Sequence, residues 1–129
     1  MALRDHIKEK HDLAEKHPFV KLLFAGGVSP SIYAEYLLNQ YLMYHHLEQL
    51  AEVAGLLNGV ETVKRAESIL TDFKELNCQA KIFKTSTDYI QYLNTISKEK
   101  LMAHIYVRHF GDLFGGQLMK KVVPGSGSM

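Results

Sequence analysis

The chain has 129 residues, 47% of them hydrophobic and 22% charged, with a formal net charge of +1. That length holds one compact domain with a core, not two, and so small a charge gives no electrostatic case for nucleic acid or an anionic membrane surface. A single cysteine, Cys78, excludes an intramolecular disulfide framework and fits a reducing compartment. The N-terminus is charged and periodic, without a signal-like or membrane-spanning apolar run, so a soluble, cytoplasmic protein is expected.

Nearly every segment reads as helix. Leu3, Ile7 and Ala14 share one face of a first helix that ends near Pro18. Gly26 and Gly27 then interrupt the pattern, Ser29 offers an N-cap, and Pro30 suits the first position of a long second helix. That helix is predicted over about 31–57, with Tyr36, Leu37, Tyr41, Tyr44 and Leu47 among its inward residues. After a turn at 57–60, a third helix carries Val63, Ala66, Leu70 and Phe73 and stops near Asn77. The segment CQAKIFKTST is irregular, and Ser86 or Thr87 is the expected cap of a fourth helix through Ile90, Leu93 and Ile96. A last helix starts between Ser97 and Glu99 and runs towards Val122, leaving 124–129 as a mobile tail. With no hairpin pattern and no repeat, residues 1–123 are predicted to form a single all-α domain.

Two places could carry chemistry. His11 has Ile7 and Ala14 one turn to either side, so its ring is expected to lean over an apolar face. Glu15 lies one turn on, where a carboxylate can take one imidazole N–H and orient the other nitrogen towards a metal. Arg4 and Lys8 add a basic stripe suited to a ligand with peripheral carboxylates; a half-buried structural histidine beside a solvated charged face is the plainer alternative. The second place is HIYVRHFGDLFGGQLMKK, positions 104–121, where Gly111, Gly115 and Gly116 interrupt an otherwise good helix. Each glycine inside a helix costs about 1 kcal/mol relative to alanine. His104, Arg108, Gly111 and Gly115 fall near one stripe, with Asp112 beside it. Missing Cβ atoms let a flat ligand approach the backbone and let the helix kink. A helix C-cap, a tight helix crossing and a phosphate-cradling loop compete, the last without a GxGxxG or GxxxxGK[ST] pattern to support it.

Tyr41 and Tyr44 read as core aromatics whose hydroxyls need partners, which Arg108 or Asp112 could supply. His45 and His46 are adjacent, about 100° apart on a helix, and cannot both ligate one metal; at least one is expected to face solvent. Zinc, dithiol, di-iron and hydrolase motifs are absent from the sequence.

These stretches resemble the heme oxygenase family. MAHIYVRHFGDLFGGQLMKK is similar to the family's distal helix, whose pattern runs into GDLSGGQ and a lysine pair. LRDHIKEKHDLAEKHPFVK is similar to its proximal helix with H-x-x-A-E, and YLMYHHLE to its tyrosine-rich segment ending in L-E. The three occur in the family's order across residues 3–121.

The resemblance implies a multi-helical bundle with heme sandwiched between a proximal and a kinked distal helix. His11 would be the axial iron ligand and Glu15 the acceptor for its second nitrogen. Arg4 and Lys8 would meet the heme propionates. Gly111 and Gly115 would lie over the heme face, with Asp112 ordering water at bound oxygen and Tyr44 and Arg108 in the same hydrogen-bond network. The implied reaction is cleavage of heme by O2 and reducing equivalents, from a ferredoxin or a reductase, to biliverdin, CO and Fe2+. A heme carrier or sensor of the same fold, without turnover, is the alternative. Phe114 stands where the family usually has serine. Most members also continue into further helices, so a C-terminally short chain is expected to form a homo-oligomer or to leave one heme edge in solvent.

Overall fold

The structure, a computed structural model, describes residues 3–110 and 124, and the side chains of all of these except Leu3, Arg4, His6 and Phe24. Six α-helices follow one another: α1 (Leu3–Glu15), α2 (Pro18–Phe24), α3 (Pro30–Val53), α4 (Ala66–Leu76), α5 (Lys84–Leu93) and α6 (Lys98–Ile105). A 3₁₀ turn at Glu61–Val63 precedes α4, and a π-helical turn at Tyr106–Phe110 follows α6. The described residues contain no strand, as the helical periodicity predicts.

The long helix α3 organises the bundle by packing against α4, α5 and α6. Tyr33, Leu37, Tyr44, Leu47 and Ala51 recur at helical spacing along it, and all are buried. The near half of this stripe joins Leu23, Val28, Ala66 and Ile69 in one apolar cluster. Its far half joins Leu57, Leu93, Leu101 and Ile105 in a second. Each fully buried leucine or isoleucine contributes roughly 1.5–3 kcal/mol by removal from water, so the two clusters, threaded by one helix, fix its neighbours around it.

Local chemistry sets the helix starts. Ser29 accepts the Ile32 N–H at 3.3 Å and Pro30 takes the first turn of α3. Ser97 does the same for α6 by accepting the Lys100 N–H at 3.3 Å. Asn77 closes α4 with φ at 50°, in the left-handed region that asparagine tolerates better than most residues.

Several boundaries differ from the sequence expectation. The first helix ends at Glu15, and Pro18 opens a separate helix α2, because His17 Nδ1 accepts the Phe19 N–H at 3.1 Å and caps a new turn. Helix α3 stops at Val53, and Gly55, at φ +74°, helps turn the chain. Val63 belongs to the 3₁₀ turn rather than to α4. Neither Ser86 nor Thr87 caps the fourth helix: it starts at Lys84, with Phe83 at the N-cap position, whose N–H donates to Asn39 Oδ1 at 2.8 Å. Asn39 also donates to the Lys81 carbonyl at 2.8 Å, so one buried amide on α3 holds the irregular segment before α5.

Candidate functional site

Helix α1 carries the first group. Its described side chains are exposed except for half-buried Asp12, and it packs against α2. Ile7 is 56% exposed and Ala14 is exposed too, so the apolar face expected under His11 is open rather than covered. His11 Nδ1 lies 3.4 Å from Glu15 Oε1, the pairing the i, i+4 spacing predicts. With Nδ1 turned to the carboxylate, Nε2 is the nitrogen left to ligate a metal. Asp12, which the sequence reading passed over, brings a third ligand atom; those of His11, Asp12 and Glu15 lie within 4.8 Å of one another. Lys8 is exposed one turn earlier.

The second group gathers where α3, α5 and α6 meet. Tyr44, fully buried, donates its hydroxyl to the Arg108 carbonyl at 3.0 Å. The expected Tyr44–Arg108 partnership is therefore present through the backbone, while the guanidinium carbon lies 5.6 Å from the centre of the Tyr44 ring. A carbonyl inside a regular helix is taken by its own ladder. At Arg108 the α-helix has given way to the π turn, a local irregularity often found at functional sites.

Arg108 is held on its other side by Tyr89 of α5. Its Nε donates to the Tyr89 oxygen at 3.1 Å, and its Nη1 to Gln40 Oε1 at 3.3 Å. The Tyr89 oxygen is 2.7 Å from His104 Nδ1, one turn before Arg108 on α6. Burial, and after it the Arg108 charge, pushes His104 below its ordinary pKa of 6.5.

The next residue, His109, belongs to a buried ion-pair geometry that the sequence reading missed. His109 Nε2 lies 2.9 Å from Glu48 Oε2, and its ring meets Tyr44 edge-on with centroids 4.9 Å apart. Glu48 Oε2 also accepts the N–H groups of Arg65 at 2.7 Å and of Ala66 at 3.3 Å. Helix α4 has no side-chain cap of its own, so Glu48 on α3 caps it from across the bundle. His109 Nδ1 has no hydrogen-bond partner among the described residues. A signal was available: Leu101, Ile105 and His109 are one turn apart on a buried stripe, where a histidine requires a polar partner.

His45 and His46 diverge, as adjacency requires. The ring of half-buried His45 stacks on Tyr41 at 5.4 Å, and half-buried His46 meets Asn94 Oδ1 at 2.7 Å. Neither is mainly solvent-facing, contrary to expectation, because each has found a neighbour. Gly111, Asp112, Phe114 and Gly115, and all the expected tail but Pro124, lie outside the described residues, as does the Arg4 side chain.

An exposed histidine paired with a carboxylate on one helix, and a part-buried tyrosine–arginine network on others, sit on an all-α frame. A family model described as heme oxygenase matches residues 1–127, and the chain belongs to that family. It is 33% identical over 133 residues to the heme oxygenase of Guillardia theta, covering 93% of this chain and 56% of that protein. It is 32% identical to heme oxygenase 1 of Gallus gallus, covering 93% of this chain and 45% of that one. The crystal structure of heme oxygenase-1 from the cyanobacterium Synechocystis, in complex with heme, superposes with a TM-score of 0.75 at 28% identity. That match covers 93% of this chain and 60% of the Synechocystis chain. The chain thus spans about half the length of such relatives. No helix among the described residues is long and apolar enough to cross a membrane.

Proposed function

We propose that this chain binds heme and oxidises it to biliverdin, CO and Fe2+. The observation that carries this reading is the 3.0 Å bond from Tyr44 to the Arg108 carbonyl. It joins two sequence motifs, 64 residues apart, at the entry to the glycine stretch. The donor set fits the group: a histidine whose Nδ1 is turned to a carboxylate leaves Nε2 as the nitrogen that can ligate heme iron.

In this reading His11 holds the iron, Glu15 fixes the ring's tautomer, and Lys8 and Arg4 meet the propionates. Bound heme supplies the iron centre at which O2 is reduced and the carbon skeleton that is cleaved. The protein's own work is placement and proton control. Gly111 and Gly115 let the backbone come close to the ligand face, which restricts where oxidation falls. Asp112, through a water it orders, delivers the proton the reaction consumes. Tyr44 and Arg108 keep that stretch in register.

The same reading expects electrons from a ferredoxin or a reductase and a cytoplasmic setting, which Cys78 as a free thiol suits. Self-association of the chain is a further expectation, and light scattering of the apo protein tests it. The activity test is direct: add hemin and a reductant in air and follow absorbance. The Soret band should rise on binding and then give way to biliverdin; heme binding without decay would instead support a carrier or sensor.

A further inference from the structure

The Tyr89 hydroxyl stands between two groups that make different demands on it. Arg108 Nε is 3.1 Å from the Tyr89 oxygen, and a guanidinium can only donate. The oxygen must therefore accept there, which leaves its one hydrogen for the other contact, His104 Nδ1 at 2.7 Å. Given to His104, that hydrogen satisfies both contacts at once, with Nδ1 as an unprotonated acceptor. Arg108, an obligate donor, favours one direction along the whole chain of contacts, His104 to Tyr89 to Arg108.

We propose that His104 is a positioning residue, which takes the Tyr89 hydroxyl hydrogen at Nδ1 and so turns the hydroxyl lone pair onto Arg108 Nε. Without that acceptor the hydroxyl is free to rotate, and among the described residues Arg108 keeps only Gln40 as a side-chain oxygen partner. The guanidinium, whose carbon is 4.7 Å from the Tyr89 ring centre and 5.6 Å from that of Tyr44, then loses the contact that fixes its rotation. The inference rests on the reading of Arg108 as part of a heme-oxygenase distal network, but the chain of bonds stands without it.

The arrangement is sensitive to acid. Among the described residues, the groups facing His104 are Tyr89 and Tyr92 from α5 and Arg108 from its own side of the bundle. The α3 side chains that reach the network are Gln40, Met43 and Tyr44, and only Tyr44 can titrate. No carboxylate is among these neighbours to favour an imidazolium. Burial and the Arg108 charge both disfavour it, so neutral His104 is the resting form. Once protonated, Nδ1 becomes a donor, and the Tyr89 oxygen would have to accept from two cations.

Proton exchange of Arg108 Hε, followed by NMR on the full apo chain, tests this apart from any heme chemistry. His104→Leu removes the acceptor, whereas His104→Asn places an amide oxygen close to the Nδ1 position. Exchange at Hε should be about tenfold faster in His104→Leu and in Tyr89→Phe, the factor expected for a charge-assisted hydrogen bond of ordinary strength. His104→Asn should stay near wild type. In the wild type, corrected for intrinsic pH dependence, Hε protection should fall as the His104 ring protonates; in His104→Asn it should not. Unchanged Hε exchange in His104→Leu would overturn the proposal, as would equal losses in the leucine and asparagine variants. Hemin added to the same samples reports separately: absence of a Soret band would remove the heme reading and leave the positioning result intact.

Discussion

Glu48 Oε2 lies 2.9 Å from His109 Nε2 and also receives the Arg65 and Ala66 amides, so one buried carboxylate joins α3, the start of α4 and the π turn after α6. The turn that leads into the glycine stretch is therefore tied to the same atom that caps a helix elsewhere in the bundle. Removing that atom acts on both places at once. Glu48→Ala should lower stability by about 3 kcal/mol, because two backbone donors and a buried imidazole lose their acceptor together. Urea unfolding measures the loss, and amide exchange at Arg65 and Ala66 should quicken. A loss below about 1 kcal/mol would mean that water replaces the carboxylate and that the tie is weak.

His11 is predicted to matter for heme and not for folding. Its side chain is 68% exposed, and its contact with Glu15 is a surface pair that contributes little to stability. His11→Ala should therefore unfold at the same urea concentration as the parent while losing the histidine-ligated heme spectrum, and added imidazole should restore that spectrum. If the spectrum is unchanged, the axial ligand is another histidine. His104 would be the first to examine, followed by His45 and His46.

The sequence made the architecture legible wherever a signal was local and repeated. The stripe of Leu37, Tyr44 and Leu47 announced α3, and Ser97 announced α6, because periodicity and capping act within a few residues. Helix α2 was missed because Pro18 reads equally as a stop and as a first helical residue, and only the His17 ring decides between them. The start of α5 was misplaced because it is set by Asn39, 44 residues away from Phe83, and not by the hydroxyl residues beside it. The pairing of His11 with Glu15 follows from spacing on one helix. The pairing of Glu48 with His109, 61 residues apart, depends on how three elements pack.

Asp112 is predicted to be catalytic. In the sequence it stands between Gly111 and Leu113, within the glycine-rich run where the family resemblance implies the residue that orders water at bound oxygen. Asp112→Ala should bind hemin with similar affinity, since the proposed iron ligand and propionate partners, His11, Lys8 and Arg4, are elsewhere in the chain. With reductant and air it should stall before biliverdin, because the proton delivered through ordered water has lost its source. A normal biliverdin yield from this variant would sink the assignment.

The lowered pKa of His104 makes a separate prediction about stability against pH. In the unfolded chain the ring titrates at its ordinary 6.5, and in the folded chain burial and then Arg108 hold its pKa lower. Between those two values the unfolded state binds a proton that the folded state does not, so stability must rise with pH across that window. Acidification through 6.5 should destabilise the wild type, and the loss due to this residue should level off below the folded value, where both states carry the proton. His104 is only partly buried, so solvent screening keeps the effect modest. The comparison that isolates His104 from every ionisable group the two proteins share is wild type against His104→Asn. Urea midpoints measured from about pH 8 to about pH 5 should fall more steeply for the wild type. Parallel curves for the two proteins would show that His104 is not held neutral by the fold, and the hydrogen-bond direction assigned to Tyr89 would lose its support.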